Sequence, residues 1–379
     1  MRQGDGPPIV SGDDSAPLML LPACRAHVGV MGDEQSSGLG PGGDVKIASL
    51  RTAPTVIVAS GSEGEPLSAK DAVLLRASPH LVLDGLALLG DALAPRADLV
   101  VMAGPGSEAS VSAALAERGD RRRFTVRVAE DRFVSGESTA VAAALAGKEQ
   151  IPQDTVHHLT DRGLRGKPLL LQNVETLAHV ALIARFGAGW FRGLGTPDDP
   201  GTRLITLGRP EGPEKVLEVP GGATLGLVLG GAGVDPTATA GVLVGGYHGA
   251  WVTPVRYAQP LAATAGPGRI GAGAGVLMVL DQDRCPLAVT AAILDYLAAE
   301  SAGQCGPCVL GLPRIAQEMH AIAAGRGDTA RLRQRLDAVV GSGACHHPDG
   351  TARLAASTLE TFGAEVAAHA AGRCTGGVR

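Results

Sequence analysis

From residue 54 onward, apolar runs of two kinds alternate along the chain. Thr55–Ala59 (TVIVA), Leu99–Ala103 (LVVMA) and Phe124–Val128 (FTVRV) are short and largely β-branched or apolar, as buried strands are. Between them, Val82, Leu86, Leu89 and Leu93 recur at helical spacing across Pro79–Leu93, and Gly104-Pro105-Gly106 opens an alanine-rich helix to Arg118. Strands separated by helices predict a parallel sheet covered on both faces, so the expected class is α/β. This αβ sandwich is assigned residues 36–200, ending at the linker Gly193–Gly201 (GLGTPDDPG). Residues 1–35 carry Gly, Pro and Asp without periodicity and read as a loose leader.

The pattern then changes twice. Leu204–Leu207, Val216–Val219, a short helix near Thr224–Leu229, Val242–Val244 and Trp251–Val252 predict a compact β-rich module over 201–255. Residues 256–285 read as a connecting segment. From 286 the period is helical: Ile315, Met319 and Ile322 share a face, as do Leu332, Leu336 and Val339, and Leu359, Phe362 and Val366. A helical bundle over 286–379 is the expectation.

Composition narrows the function classes. The chain has 379 residues, a net charge of -5 and 45% hydrophobic residues, so it can bury more than one core and lacks the basic surface of a general nucleic-acid binder. No apolar run approaches the roughly 20 residues that span a bilayer, and the N-terminus lacks signal-peptide order, so a cytoplasmic protein is expected. Six cysteines in a reducing compartment point to metal or redox work rather than disulfides.

Those cysteines are unevenly placed. Cys305-Gly306-Pro307-Cys308 puts two thiols about one turn apart, and Cys345 returns after a helical hairpin. Thiolates suit iron–sulfur clusters and zinc alike. The CGPC string is also a thiol–disulfide exchange motif, but that chemistry needs it after a strand, and here it follows the helical stretch Leu287–Glu300. His346 and His347 follow Cys345 and offer a Cys₃His zinc set. Reduced buried thiols without a ligand complete the alternatives. Cys24, Cys285 and Cys374 show no metal spacing and read as incidental.

The residues around this cluster carry a resemblance. Glu300-Ser301-Ala302-Gly303-Gln304-Cys305-Gly306-Pro307-Cys308 is similar to the E-S-C-G-x-C-x-P-C motif of the flavin- and NADH-binding iron–sulfur subunit of respiratory complex I and of related diaphorase subunits. Gln172–Ala178 (QNVETLA) resembles N-N-V-E-T-L-A, Phe133–Ala140 (FVSGESTA) resembles Y-I-C-G-E-E-T-A, and Ser62–Pro66 with Lys70-Asp71 resembles D-E-G-E-P…K-D. The resemblance implies that 201–255 is a ubiquitin-like β-grasp module of the SLBB type. It implies an oxidoreductase passing electrons from NADH through FMN to a [4Fe–4S] cluster, and on to a ferredoxin-like or membrane redox partner.

Cys305, Cys308 and Cys345 take three cluster-ligand positions. The fourth is Ala302, which leaves a [3Fe–4S] form or a non-cysteine ligand such as His346. Flavin is expected against Gly40, Gly42, Gly43, Glu63, Gly136, Glu137 and Asn173, with Glu137 also the catalytic candidate. The family's glycine-rich loop is altered here: Pro41 replaces its arginine, Val45 a glycine and Lys46 a phenylalanine, while Asp44 adds negative charge. Ser62, Ser138 and Gln172 likewise replace an aspartate, a glutamate and an asparagine. A relay or scaffold without NADH or FMN, or a zinc-binding structural protein, is therefore the alternative.

Overall fold

The structure is a computed structural model that describes residues 53–154, 157–212 and 214–376. Its first layer is a parallel sheet of β1 (Val56–Gly61), β2 (Asp98–Ala103), β3 (Phe124–Val128) and β4 (Leu169–Asn173), in the order β3-β2-β1-β4. Every residue of β1 is buried, because both of its neighbours and both faces of the sheet are covered. On one face, α1 (Lys70–Ala77), α2 (Pro79–Leu93), α3 (Glu108–Ala116) and α5 (Val174–Phe186) close over Ile57, Ala59, Leu99 and Leu170. On the other, α4 (Ser138–Leu145) lays Val141 and Ala142 over Val56, Val58, Leu169 and Leu171. Gly85 lets α2 touch α5: a Cβ there would sit 1.9 Å from the carbonyl oxygen of Leu177.

Sequential strands run from β1 to β2 to β3 on one side, and β4 then joins the opposite edge of β1. That reversal makes the carboxyl ends of β1 and β4 the topological switch point, where doubly wound sheets form the crevice that binds ligands. The pattern of Leu169–Asn173 does not single it out as a strand; its run is apolar almost throughout and lacks the alternation that marks a half-exposed strand.

The second layer is a five-stranded sheet of β5 (Thr202–Gly208), β6 (Lys215–Pro220), β7 (Thr239–Val244), β8 (Ala250–Val252) and β9 (Val276–Asp281), ordered β8-β7-β9-β5-β6, with α6 (Leu225–Gly231) against it. The expected end of this module at 255 is corrected here. Strand β9, in the segment read as a connector, is the central strand, parallel to β5 and antiparallel to β7.

The bundle follows as α7 (Pro286–Ala299), α8 (Leu312–Ala323), α9 (Thr329–Val339), α10 (His347–Thr361) and α11 (Gly363–Ala370). Ile315, Met319, Ile322, Leu332, Leu336, Val339, Leu359 and Phe362 are buried in one cluster, and Val366 packs at its edge. The same cluster takes in Leu243, Trp251 and Met278 of the second sheet and Phe133 and Val134 of the first domain, so the bundle is packed against both. Among the described residues no single helix is long and apolar enough to cross a membrane; α1 and α2 pass such a test only as a pair bent by 93°.

Candidate functional site at the strand ends and the cysteine motif

The crevice beyond β1 and β4 is built from helix caps. The Glu63 carboxylate accepts from Ser68 Oγ at 2.6 Å and from the N–H groups of Asp71 and Ala72 at 3.0 and 2.9 Å, satisfying donors that α1 leaves open. Asn173 caps α5 through Glu175 N at 2.9 Å, and its Nδ2 donates to Asp71 Oδ2 at 2.9 Å. Glu137 caps α4, accepting from Thr139 N at 2.8 Å and Ala140 N at 3.2 Å. A Cβ on Gly136 would lie 2.9 Å from Ser62 O, so the turn Phe133–Gly136 can press on the end of β1 only with glycine there. Glu63 and Asn173 thus meet through Asp71, and Gly136 and Glu137 close the same region from above β1. Gly40, Gly42 and Gly43 lie outside the described residues.

Two hydroxyls in this region, Ser62 Oγ and Ser138 Oγ, are buried without a hydrogen-bond partner. Buried polar groups left unpaired cost roughly 1–3 kcal/mol each, so their place is one that a ligand can complete. A hydroxyl can donate where a carboxylate only accepts, which suits a ligand rich in phosphate and carbonyl oxygens.

Beneath the crevice, Lys70 Nζ stands 2.6 Å from Asp71 Oδ1 and 3.4 Å from Glu175 Oε2. Glu175 Oε1 in turn accepts from Leu204 N on β5 at 2.6 Å. Burial raises Glu63 and Glu175 above the usual carboxylate range, against the pull of Lys70. Burial also acts to lower Lys70, but Asp71, Glu175 and Glu63 overcome it and raise the ammonium far above its ordinary value.

Glu65 joins the two sheets' domains. Its Oε2 accepts from Tyr247 N at 2.8 Å, while Oε1 has no partner. Burial pushes its carboxyl up to about 7, against the N–H groups of Tyr247 and Leu67. A carboxyl raised in the folded state binds its proton more tightly there than in the unfolded chain. Its cost is absent below pH 4.5, grows as pH climbs towards 7, and is complete above it. At 1.36 kcal/mol per pKa unit the full cost is about 3 kcal/mol. Glu65→Gln keeps an acceptor for Tyr247 and removes the charge. It should flatten the stability profile over that window and raise the melting temperature at pH 8; an unchanged slope in chemical denaturation would refute the assignment.

The cysteine motif lies between α7 and α8, where Pro307–Gly311 forms a single π-turn and Val309 N donates to Cys305 O at 3.0 Å. Such wide turns often mark functional positions in helices. Burial raises the Cys305 thiol, but the N–H groups of Ala344 and Cys308 and the Cys308 thiol outweigh it and hold Cys305 below the usual thiol range. Cys308 is pushed up to about 12 by burial, then by the charge of Cys305 and its hydrogen bond, then by Cys345. Cys345 is pushed up to about 11 by burial, and the charges of Glu137 and Cys305 add to it. The three thiols therefore share one neighbourhood, and a bound cation would reverse this order by holding them as thiolates. Ala302, three residues before Cys305, is a partly buried methyl group packed against the bundle's core and supplies no donor.

The histidines are committed elsewhere. His347 Nε2 faces the carbonyl of Leu297 at 2.8 Å, so it carries the proton, and Nδ1 accepts from His248 Nε2 at 3.1 Å. Both ring nitrogens of His347 are thus used, which corrects the reading of His347 as a zinc ligand. His346 is exposed, and its Nδ1 faces Asp349 Oδ2 at 3.1 Å.

The two halves of the site touch. Phe133 N donates to Glu300 Oε2 at 3.0 Å, so the cysteine motif holds the turn that leads into Glu137, and Gln304 Nε2 donates to Pro152 O at 3.0 Å in the segment that follows α4. A small cavity at this contact is lined by Phe133, Glu137, Pro152, His248, Cys345 and His346. Cys285 and Cys374, which show no metal spacing in the sequence, are brought together by the fold with Glu365 and His369.

Two family models match the chain. The Nuo51 FMN-binding domain covers residues 37–182, and the NADH-ubiquinone oxidoreductase-F iron–sulfur binding region covers 288–369. The chain is 28% identical over 340 residues to an F-type subunit of the NADH-quinone oxidoreductase of Rhizobium meliloti (strain 1021), a match covering 83% of this chain and 80% of that one. It is also 28% identical over 343 residues to the HndC subunit of the NADP-reducing hydrogenase of Solidesulfovibrio fructosivorans, covering 83% and 68%. Among solved structures, a chain of the NAD⁺-reducing [NiFe]-hydrogenase in the air-oxidised state matches with a TM-score of 0.79 and 27% identity over 94% of this chain. This chain spans 64% of the length of that one.

Proposed function

We propose that this chain, a divergent relative of the F-type subunits of NADH-quinone oxidoreductase carrying their FMN-binding and iron–sulfur regions, passes electrons from a flavin edge at the β1–β4 crevice to a cluster on Cys305, Cys308 and Cys345. The observation that carries the proposal is the shared cavity: Glu137, from the flavin side, and Cys345, from the cluster side, line the same space, with Glu300 bonded to the turn at Phe133 and Gln304 to Pro152. Flavin supplies the chemistry that links two-electron and one-electron transfer.

The chain's own residues fit both groups in part. Glu63, Gly136, Glu137 and Asn173 would shape the flavin site, with the unpaired hydroxyls of Ser62 and Ser138 as donors toward it. Cys305, Cys308 and Cys345 would hold the cluster. Ala302 withdraws the fourth thiolate, and His346, turned to Asp349, leaves a three-iron form as the better fit. We further propose that the nicotinamide end of the site is weakened, since Ser62 and Ser138 stand where the family has carboxylates and Asp44 adds a negative charge to the sequence that resembles the family's glycine-rich loop. A partner subunit that accepts single electrons, ferredoxin-like in character, completes the proposal.

The test is anaerobic purification followed by flavin extraction, iron and sulfide analysis, and titration with NADH. Flavin and about three irons per chain, with slow or incomplete bleaching by NADH, is the expected result. Iron without flavin would replace this reading with a cluster relay. Zinc in place of iron at Cys308 would overturn electron transfer altogether.

A further inference from the structure

We infer that Cys285, Glu365, His369 and Cys374 form a second metal site, closed and structural, that binds zinc. One donor atom from each lies within 4.8 Å of all the others. Cys285 Sγ is 3.5 Å from His369 Nε2, and His369 Nε2 is 3.0 Å from Glu365 Oε1. Zinc held at about 2.3 Å from sulfur and about 2.0–2.1 Å from nitrogen or oxygen has tetrahedral edges of roughly 3.3–3.8 Å, so the observed spacings need little change. Cys285, Glu365 and His369 are buried and Cys374 is partly buried, so the set has the closed character of structural zinc rather than an open catalytic position.

The surroundings orient these donors as metal ligands are oriented. His369 Nδ1 faces the carbonyl of Ala323 at 2.5 Å, so it carries the proton and Nε2 turns its lone pair inward. That lone pair then faces the Glu365 carboxylate, two acceptors held together, and either a proton or a cation must lie between them. Thr375 N donates to Glu365 Oε1 at 3.0 Å, and the Thr375 hydroxyl donates to Oε2, fixing the carboxylate. Cys285 sits at the N-cap of α7, so its thiol is placed at the very start of that helix. Two thiolates, an imidazole and a carboxylate form a donor set suited to zinc.

The site would fasten the last segment of the described chain to the start of the helix that leads into the cysteine motif. The backbone there is already close: a Cβ on Gly376 would lie 2.7 Å from Cys285 N. The inference is independent of electron transfer and of the cluster on Cys308.

The experiment uses the cluster-loaded full chain, grown with added zinc. Metal analysis should find close to one zinc per chain, and X-ray absorption at the zinc edge should show about two sulfurs near 2.3 Å and two nitrogen or oxygen neighbours near 2.0–2.1 Å. Cys374→Ser and His369→Gln should each lower zinc at least about tenfold while iron is unchanged, and Cys308→Ala should lower iron and leave zinc. Three results would overturn the inference: no zinc in the wild-type chain and none taken up from added zinc chloride; zinc that follows Cys308 rather than Cys374; or a Cys285–Cys374 disulfide found by mass spectrometry under thiol-free alkylation. The measurements on the wild-type chain decide the matter even if a variant fails to fold.

Discussion

Cys308→Ala is expected to strip the chain of most of its iron and sulfide and to abolish electron delivery to a one-electron acceptor. Cys308 is only 3% exposed and its thiol interacts with both Cys305 and Cys345, so its removal takes away the buried donor that the other two thiols share. On the scale of structural zinc sites, where four ligands bind the metal with about 10–16 kcal/mol, one ligand is worth roughly 3 kcal/mol, and a loss of that size is about a hundredfold in affinity. Iron per chain, visible absorbance and low-temperature EPR measure the effect. The loss of side-chain volume is small, and the surrounding helices should hold, with far-UV circular dichroism near that of the wild type. Iron at the wild-type level would refute the ligand assignment. The reverse experiment is Ala302→Cys, which restores a donor at the position where the methyl group now packs. It should move the iron content from about three towards about four per chain and remove the EPR signal of an oxidised three-iron cluster.

How much of this is legible in the sequence differs by region. Strands β1, β2 and β3 are readable as short β-branched or apolar runs alternating with helical stretches, and the faces of α8 and α9 because their apolar residues recur at helical spacing. β9 is not, since VLMVLD is a short apolar run that could end a loop or start a helix, and only its pairing with β5 and β7 makes it the centre of a sheet. The cysteine motif is legible because its donors are adjacent in sequence. The set of Cys285, Glu365, His369 and Cys374 is not, because 84 residues separate Cys285 from His369 and no spacing rule spans a fold. The one local signal is Glu365 and His369 at i and i+4 with Cys374 soon after, a pattern that places two donors on one helix face. Glu63, Glu137 and Asn173 stand out for their flavin-like motifs, yet the structure shows each also capping a helix. Their local role in the fold does not depend on a ligand.

Lys70→Met should destabilise the chain by about 3–5 kcal/mol at neutral pH, the scale for removing one partner from a buried charged group. The ammonium is the cation among Asp71, Glu175 and Glu63, with its side chain only 12% exposed. Methionine matches the stem in length and removes only the charge and donors, so the effect isolates the network rather than the packing. Without Lys70, burial and mutual repulsion dominate Glu175 and Glu63, and both carboxyls rise further. The folded variant would then bind more protons than its unfolded chain over the acid-to-neutral range, so its stability falls as pH rises and its deficit against the wild type is smallest in acid. Urea unfolding at several pH values reads this directly. Glu175→Gln in the Lys70→Met background should recover part of the loss, since the amide can still accept from Leu204 N without a charge. A pH-independent deficit would mean that Lys70 does not act through the charges of Glu63 and Glu175. The same substitution bears on flavin, because Asp71 is shared: one oxygen faces Lys70 and the other accepts from Asn173 Nδ2 at the mouth of the crevice. If the crevice holds flavin as proposed, Lys70→Met should weaken flavin retention while leaving iron on Cys305, Cys308 and Cys345 unchanged. Loss of iron alongside flavin would show instead that the two halves of the site fold as one unit through the turn at Phe133.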